Sequence, residues 1–278
     1  MTWICNWPAM RSSSSVAPVV WAWPSPRLSS PRGADAPATE VVHIPTVRFR
    51  SGYTWRATYT RADTMTTTLP NGGQQRQAID RTLALHWSVT TTPSGLALVV
   101  TVDSARIVGL PGSIGRAMED SARGAVVRGI LRGDGRVDSL VSLPDAAVAH
   151  ALIADLPWLV PALGLAGGTG ASWSDTLQAV VRFGVVDLTE RTIRHSSAVP
   201  GNGTVLVTMA GTVWRDGASP QLHLSGTGTR FGTATVELNG RIRSAAGRDS
   251  MMMSARVESI GQSVRIIQVG GYTLTALP

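Results

Sequence analysis

Most of this chain alternates apolar and polar residues with a period of two, and one stretch switches to a different period. The alternation is seen over most of the chain from Val47 to the carboxyl end, and the stretch that switches is Pro144 to Thr176. Successive side chains of an extended strand point to opposite faces, so the pattern predicts β-strands that each bury one face. In the exceptional stretch the apolar residues recur near every 3.6 positions, which predicts a helix. These two periods constrain the chain to a β-rich fold organised around one main helix.

The predicted helix runs from about Asp145 to Leu156 and is amphipathic. It follows the helix-breaking Pro144, and Pro157 is expected to end it, because proline lacks a backbone N–H group. His150 and Asp155 are expected to lie away from its apolar face. The residues predicted to share that face are Val148, Ala151, Leu152 and Leu156.

The strands on either side of the helix are punctuated by short turns. Asn71-Gly72 and Asn239-Gly240 are typical of tight hairpins, because glycine adopts positive φ angles without strain. Pro111 to Arg123 does not alternate and is expected to form a helical turn or a loop. The whole pattern predicts about a dozen strands. Nearly all should be antiparallel, because the connections are too short for crossovers.

Two landmarks recur in the two halves of the chain. Gly52-Tyr-Thr-Trp55 opens the first half and Gly170-Ala-Ser-Trp173 opens the second, while a Gly-Arg-x-x-Ser motif begins at Gly135 and again at Gly240. The first copy is longer by the length of Pro111 to Arg123. Either the halves arose by an internal duplication with one insertion, or residues that are common in this chain recur by chance.

The chain is predicted to divide into a leader and one domain. Residues 1–46 hold tryptophans, prolines and a serine run without usable periodicity, and are interpreted as a leader or a disordered segment. Residues 47–278 are interpreted as a single β half-barrel domain. Its pseudo-repeats are residues 47–143 and 170–278, joined by the helix and linker at residues 144–169.

The leader has the outline of a secretory signal peptide. A start at Met10 would place Arg11 before the apolar run Val16 to Trp23, with Ala36-Pro-Ala38 as a cleavage site. This interpretation predicts a periplasmic or secreted protein, and the alternative is an artefactual or disordered amino terminus. No other apolar run approaches the roughly 20 residues of a transmembrane helix, so no transmembrane segment is predicted.

The composition excludes several kinds of chemistry. The sequence has no lysine, so its 25 basic residues are all arginine, against 18 acids and a net charge of +7. Walker A, Schiff-base and Ser-x-x-Lys chemistries all require a lysine. The arginines form no basic run and aromatic residues are only 5% of the chain, so no nucleic-acid partner is predicted.

No catalytic, metal or cofactor site is predicted. Cys5 is the only cysteine, and the histidines do not have metal-ligand spacing. Asp103-Ser-Ala105 and Asp175-Thr-Leu177 lack the glycine of aspartic protease loops. We therefore expect a protein that is not an enzyme, with no metal and no cofactor. A cleft containing two or more buried acids would revive the enzyme hypothesis.

The order of features resembles a family of exported proteins. The Gly-x-Ser/Thr-Trp openings, the threonine-rich strands, the mid-chain helix with its Pro-Trp-Leu-Val-Pro run, and the final Asn-Gly-Arg hairpin resemble uncharacterised exported β-rich bacterial proteins. Those proteins look distantly similar to the periplasmic lipoprotein-carrier superfamily. The resemblance implies a strongly curved antiparallel sheet, an open half-barrel, with the main helix on its concave side. It transfers no site residues, and this chain has one clear helix where that superfamily has several.

A half-barrel of this kind is expected to hold a lipid or another hydrophobic small molecule, such as an acyl chain, against its concave face. For every predicted contact, plain core packing is the alternative role. The rival hypothesis is a ligand-free structural or protein-interaction domain with an envelope protein as its partner. The predicted ligand-binding residues are Leu152, Trp158, Leu159 and Leu163 from the helical cover, and Trp55, Trp87 and Trp173 from the sheet.

Overall fold

The structure of this protein is a computed structural model that describes residues 44–93, 95–132, 135–143, 146–163, 172–183, 186–257 and 261–278. Almost all of the predicted leader, residues 1–46, lies outside the described residues. Asp145, with which the predicted helix begins, also lies outside them, as do residues 164–169 of the predicted linker and Gly170 of the second landmark.

The alternating segments form strands, and two non-alternating segments form helices. Long runs of threonine, valine and alternating aliphatic residues suit a pleated surface that is buried on one side only. The strands are β1 (Thr54–Thr68), β2 (Gln74–Thr92), β3 (Gly95–Val108), β4 (Val126–Leu131), β5 (Val137–Leu143), β6 (Ser172–Phe183), β7 (Val186–Pro200), β8 (Thr204–Ala218), β9 (Leu222–Glu237), β10 (Ile242–Val257) and β11 (Gln262–Ala276), and the helices are α1 (Gly112–Ala122) and α2 (Ala147–Leu159).

These strands form one continuous sheet in which every neighbouring pair is antiparallel. The order is β5-β4-β3-β2-β1-β11-β10-β9-β8-β7-β6. Strands β1 and β11, which are the first and last along the chain, pair with each other, with Thr60 opposite Thr273. The sheet curls through about 270° into a half-barrel. The predicted mainly β fold, a strongly curved antiparallel sheet, is therefore confirmed.

Helix α2 connects the two free edges of this sheet. It follows β5, which is one edge, and precedes β6, which is the other, and it contacts both of them as well as β9 and β10. A helix that reaches two edges and two interior strands must lie on the concave side of the curled sheet. The predicted position of the main helix is confirmed.

The predicted extent of this helix was wrong at its carboxyl end. Pro157 lies inside α2, which continues to Leu159. A proline in the last turn removes only the hydrogen bond to the carbonyl group of Ile153, and the next turn still closes because the Val160 N–H group donates to the Leu156 carbonyl group at 2.8 Å. The helix is also buried on more than one face, because Ala149 and Ile153 are buried together with Val148, Leu152 and Leu156 of the predicted apolar face, while Ala151 of that face is partly exposed.

The segment predicted as a helical turn or loop forms α1, between β3 and β4. A Glu119 carboxylate oxygen accepts a hydrogen bond from the backbone N–H group of Ile107 at 2.6 Å, which ties the helix to the end of β3. No such helix separates β8 from β9. The landmark residues Trp55 and Trp173 lie on the first strand of their halves, β1 and β6. Gly135 and Gly240 each precede the fifth strand of their half, β5 and β10. The duplication stays a prediction.

The two predicted Asn-Gly turns are tight hairpins. Gly72 has a φ angle of 81° and Gly240 a φ angle of 92°, which confirms that each turn uses the positive φ range of glycine. The Asn71 side chain accepts a hydrogen bond from the Gly73 N–H group at 3.0 Å, and Asn239 accepts one from the Arg241 N–H group at 2.9 Å. These local bonds fix the register of β1 with β2 and of β9 with β10.

The concave side contains two separate hydrophobic cores. The larger includes most of α2 together with Trp55, Trp87 and Leu274 from the sheet. The smaller lies further along the same strands and includes Leu188 and Met251. Between the two cores the inner face of the sheet carries charged side chains, which form the candidate site.

Candidate functional site

The charged side chains lie on the inner face of the sheet, between the two cores. The alternation of the strands places them on that face. On β1, Arg61 and Asp63 continue the same alternation as the buried Trp55 and are each 7% exposed. On β10, Asp249 is 7% exposed in the same way. Charged groups this deeply buried are stable only when they are paired and hydrogen-bonded.

Asp155 of α2 lies at the centre of these charges. Arg61 Nη1 donates to its two carboxylate oxygens at 2.9 and 3.1 Å. Arg230 Nη2 and the Tyr59 hydroxyl group also donate to this carboxylate. The donors come from β1 and β9, so one helical side chain is tied to two strands that are far apart in the chain.

Arg61 connects that carboxylate to two further acids. Its Nε atom donates to Asp63 at 3.0 Å, and its Nη2 atom donates to Asp249 at 2.8 Å. Asp63 also accepts from Arg81. Three arginines therefore face three aspartates, and the charges balance. We call this set the charge cluster; it consists of Tyr59, Arg61, Asp63, Arg81, Asp155, Arg230 and Asp249.

A second ion pair holds the carboxyl end of α2. Arg194 is 1% exposed and donates to Asp175 through Nε at 2.9 Å and through Nη2 at 2.6 Å. Its Nη1 atom donates to the Pro157 carbonyl group. The Trp158 ring lies near the guanidinium groups of Arg194 at 5.6 Å and Arg230 at 4.9 Å. The end of the helix is thus held by charge-assisted hydrogen bonds and cation–π contacts.

The surroundings fix the protonation states of the cluster at neutral pH. Burial alone would raise the pKa of Asp155, but the Arg61 and Arg230 guanidinium groups outweigh it and lower that pKa to about 2. Burial, with Asp155 nearby, raises the pKa of Tyr59 well above its ordinary value. Burial also raises the pKa of Tyr272 to about 12. The aspartate is therefore ionised and both tyrosines are neutral, which suits an ion-pair anchor better than proton transfer at neutral pH.

Gly270 gives the charge cluster its space, and replacing it with alanine is expected to destabilise the protein. A Cβ atom at this position would lie 2.5 Å from Asp63 Oδ1, 2.8 Å from Arg61 Nη2 and 2.9 Å from Asp249 Oδ1. These groups cannot move apart without breaking their ion pairs, so the loss should be about 2–3 kcal/mol in urea unfolding.

The neighbouring Gly271 provides a matched control. A Cβ atom there would meet only the Gly247 carbonyl oxygen, at 3.5 Å, which is an ordinary contact. Gly271→Ala should therefore unfold within about 1 kcal/mol of the wild type. Equal stability of the two variants would show that the cluster does not depend on the space above Gly270.

A cleft of about 710 Å³ lies between the two sheet edges. Residues of β5 form one wall, residues of β6 and β7 form the other, and α2 contributes the floor. Its apolar lining is Val137, Leu140, Val141, Ile153, Ala154, Pro157, Trp158, Val160, Ala162, Leu177, Ala179 and Val180.

A second cavity of about 460 Å³, which we call the lumen cavity, lies on the other flank of α2. It is bordered by α1, by the inner face of the sheet, and by Arg61, Asp63 and Arg81 of the charge cluster. Ala154 and His150 of α2 border both cavities. Helix α2 thus occupies part of the concave side and leaves space on two sides.

The structure brings together the seven residues predicted from the sequence to contact a ligand. Trp55 and Trp87 stack with ring centroids 5.4 Å apart, and Trp173 is partly buried against the same core. Leu152, Leu159 and Leu163 belong to that core as well. Trp158 also belongs to it and is the one of the seven that borders the cleft or the lumen cavity. Contact with a ligand stays a prediction for each of them.

The charge cluster was not predicted from the sequence. Asp155 was predicted to lie away from the buried face of the helix, which was wrong, since it is 1% exposed. The strand sequence nevertheless contained a signal for the charge cluster, namely the alternation of β1. The alternation that places Trp55 and Tyr59 inside also places Arg61 and Asp63 inside, because side chains of a strand repeat every two residues.

Two further findings concern only the described part of the chain. Its histidines and acids form no group of three or more that could hold a metal ion. Neither α1 nor α2 has the length and apolar character required to cross a membrane.

The fold and the cluster define a half-barrel protein with an internal helix anchored by ion pairs. No family model matches the chain, and no curated protein matches it. Among solved structures the chain is similar to lipovitellin, described as "Lipid-protein interactions in lipovitellin", with a TM-score of 0.53 and 14% identity over 83% of this chain. The match covers 26% of the lipovitellin chain, so this protein spans about a quarter of that length. At this identity the likeness is one of fold.

Two other solved structures score lower. A protein described under "Asymmetric conductivity of engineered proteins" has a TM-score of 0.24 and 9% identity over 81% of this chain and 100% of its own. OccK8 (OprE) of Pseudomonas aeruginosa has a TM-score of 0.17 and 9% identity over 76% of this chain and 56% of its own. These scores are too low to show a shared fold.

Proposed function

We propose that this protein is a non-enzymatic protein of the cell envelope, periplasmic or secreted, that binds a hydrophobic ligand such as a lipid or an acyl chain. One observation carries the proposal: α2 leaves two cavities, the cleft and the lumen cavity, on the concave side of the sheet, and the walls of both are partly apolar and partly polar. Their volumes of about 710 and 460 Å³ lie within the range of roughly 300–1,000 Å³ that is usual for ligand pockets.

The cleft suits an elongated apolar molecule. Leu140 and Val141 border the cleft along one edge strand, and Leu177 and Val180 along the other, with Ile153 among the helical residues below. Val141 is 50% exposed and Val180 is 58% exposed. Aliphatic side chains left exposed along a groove lose unfavourable contact with water when an acyl chain covers them.

The likeness of fold supports this proposal. Lipovitellin, which shares the fold of this chain over most of the chain's length, is described in terms of its lipid–protein interactions. A kinship with the periplasmic lipoprotein-carrier superfamily, in which a half-barrel surrounds an apolar space, is part of the same proposal. Under either likeness, ligand binding by this chain would depend on a curved sheet whose concave side is incompletely filled.

The state of the buried acids favours a protein without catalytic activity. The cluster does contain several buried aspartates, the feature that would revive the enzyme hypothesis. However, Asp63, Asp155 and Asp249 each pair with arginine, and the lowered pKa of Asp155 keeps it ionised. A carboxylate held in this way is a weak general base and cannot supply a proton near neutral pH.

A ligand-free structural or protein-interaction domain is the second candidate function. It is favoured by the dense packing of Trp87, Leu152 and Leu159, which are at most 1% exposed. In that case the cleft would be a surface groove between two edges of a filled domain.

Charging the cleft is expected to weaken ligand binding strongly without unfolding the protein. Val141→Asp and Val180→Asp place carboxylates at exposed positions of the two walls, where folding tolerates them. A fluorescent fatty acid should bind each variant at least about tenfold more weakly than the wild type, because an acyl chain would have to cover a charge. Val199→Asp is the matched control, since Val199 is 59% exposed and lies outside the cleft.

Native mass spectrometry of gently purified protein gives an independent measurement. The expected result is a mass above that of the bare polypeptide, which the cleft variants lose. A bare polypeptide mass combined with no binding of fluorescent fatty acids would contradict the proposal and leave the ligand-free domain as the better account.

A further inference from the structure

We infer that the lumen cavity binds a lipid whose polar head is an uncharged oxygen acceptor, such as the ester group of a monoacylglycerol. The inference rests on the proposed function, because it requires a hydrophobic ligand on the concave side, and it adds the class of head group. It is carried by Arg81 of β2, which borders the cavity with an unsatisfied hydrogen-bond donor where the charges already balance.

Part of the lumen cavity is apolar enough to hold an acyl chain. Strands β1 and β2 contribute Met65 and Ile79 from their inner faces, and helix α1 contributes Ile114. Ile114 is 52% exposed, so an aliphatic side chain at the border of the cavity stays in contact with water. Met118 and Phe183 also border the cavity. An acyl chain that covered these side chains would remove their unfavourable contact with water.

Arg81 has an incomplete set of hydrogen bonds. Its Nη2 atom donates to Asp63, which is the one hydrogen-bond partner of this guanidinium group among the described residues. Its buried Nε atom has no acceptor in the same part of the chain. The side chain is 17% exposed, so little of it contacts water. A buried donor without an acceptor is costly, and a ligand oxygen beside the guanidinium group would remove that cost.

With histidine counted as neutral at pH 7, the charges around the lumen cavity already balance. Arg81 belongs to the charge cluster, in which three arginines face three aspartates. Arg215 borders the cavity and pairs with Glu190 at 2.7 Å. Arg182 also borders it and pairs with Asp187 at 2.8 Å. A carboxylate or phosphate head would therefore add a buried negative charge without a counter-charge, whereas an ester oxygen would not.

The unsatisfied donor and the apolar wall lie along the same strand. Gln77, Ile79 and Arg81 occupy alternate positions of β2, and all three border the cavity. Alternate residues of a strand point to one face and lie about 7 Å apart. Gln77 is also the cross-strand partner of Met65. A lipid with its ester oxygen at Arg81 would thus extend its chain over Ile79 towards Met65.

Isothermal titration calorimetry of the full chain with two lipids of the same acyl chain tests this inference. Monolaurin has an uncharged ester head, and laurate has a carboxylate head. At neutral pH the wild type should bind monolaurin at least about tenfold more tightly than laurate, because only the ester supplies an acceptor without adding a charge. Val180→Asp should show the same preference, since Val180 borders the cleft and not the lumen cavity.

Arg81→Lys removes the surplus donors of the guanidinium group and keeps a positive charge beside Asp63. Monolaurin should bind this variant roughly tenfold more weakly than the wild type, because the ester oxygen loses its donor. Laurate should bind within about threefold of its wild-type affinity, since the net charge is unchanged. Urea unfolding of the variant checks that it is folded.

Ile114→Asp tests the apolar part of the site independently of the charge cluster. Folding should tolerate this change, because Ile114 is exposed and lies in the first turn of α1, where an acidic side chain is favourable. Monolaurin should bind at least about tenfold more weakly, since its chain would have to cover a charge. Val108→Asp is the matched control, because Val108 is 50% exposed and borders neither cavity.

The possible results separate this inference from the proposed function. Equal affinity for the two lipids, or tighter binding of laurate, would overturn the inference and leave the proposed function standing. The same holds if Arg81→Lys and Ile114→Asp both bind monolaurin as the wild type does. If monolaurin, laurate and the fluorescent fatty acid all fail to bind the wild type, the proposed function fails and the inference fails with it.

Discussion

Replacing Asp155 with asparagine is expected to destabilise the protein by about 3–5 kcal/mol, because it leaves the three arginines of the buried charge cluster with only two carboxylates. Arg61 and Arg230 both pair with this carboxylate and are 7% and 3% exposed. Asparagine has the same size, so the change removes charge without opening a cavity. A loss of this size approaches the whole stability of many domains.

Urea unfolding followed by circular dichroism measures this loss. Asp138→Asn is the control, because Asp138 also pairs with an arginine, Arg132 at 2.8 Å, but its side chain is 42% exposed. An exposed pair contributes roughly 0–1 kcal/mol. If the two variants lost equal stability, the buried cluster would not anchor the helix.

The acid dependence of stability provides a second measurement on the same variant. The pKa of Asp155 is about 2 in the folded protein against 3.8 when unperturbed, so between these values the unfolded state binds more protons. The contribution of this group is complete above pH 3.8 and is lost as the pH falls towards 2, and it amounts to about 2 kcal/mol. Asp155→Asn should lack this part of the acid dependence, and an unchanged slope would contradict the assignment.

The local architecture could be predicted from the sequence because strand alternation is a local property. The alternation of β1 places Trp55, Ala57 and Tyr59 on one face, and all three are buried. The Asn-Gly turns and the position of the main helix between two β-rich halves were likewise visible in short windows. Together these features were sufficient for the antiparallel sheet, whereas its strong curvature was implied by the resemblance to the lipoprotein-carrier superfamily.

The charge cluster could not be predicted because it depends on pairings between distant parts of the chain. Arg61 and Asp155 are 94 positions apart, and Arg61 and Asp249 are 188 apart. The pairing of β1 with β11, which brings these strands together, has no signature in either strand. A charged residue in a helix also normally marks a solvated face, and only the surrounding arginines make burial of Asp155 tolerable.

The two cavities depend on how the side chains pack, which could be predicted even less well from the sequence. The resemblance implied that the main helix lies on the concave side, but the sequence could not show how much of that side the helix fills. Trp55 and Trp87, two of the residues predicted to contact a ligand, stack on each other, whereas Trp158 borders the cleft at the flank of the helix. The packing of side chains determines where the empty space lies. A pattern of apolar positions in the sequence does not specify that packing.

Replacing Leu159 with arginine is expected to prevent folding altogether. Leu159 is fully buried in the larger core at the end of α2, so an arginine there would place a charge in an apolar environment without a partner. The expected cost is at least about 5 kcal/mol, comparable to the entire stability of a domain. Far-UV circular dichroism and urea titration should show no cooperative unfolding transition, whereas Val199→Arg, at a position that is 59% exposed, should behave like the wild type.

Leu159→Arg also distinguishes a filled core from a ligand-binding surface at this position. Leu159→Met keeps the volume and apolar character of the side chain and should cost less than about 1.5 kcal/mol, which shows that charge rather than any change is harmful. If Leu159→Arg retained a cooperative transition and lost only the binding of a fluorescent fatty acid, Leu159 would lie against ligand instead of core. The binding site would then extend beneath α2, and the cleft at its flank would be only the entrance.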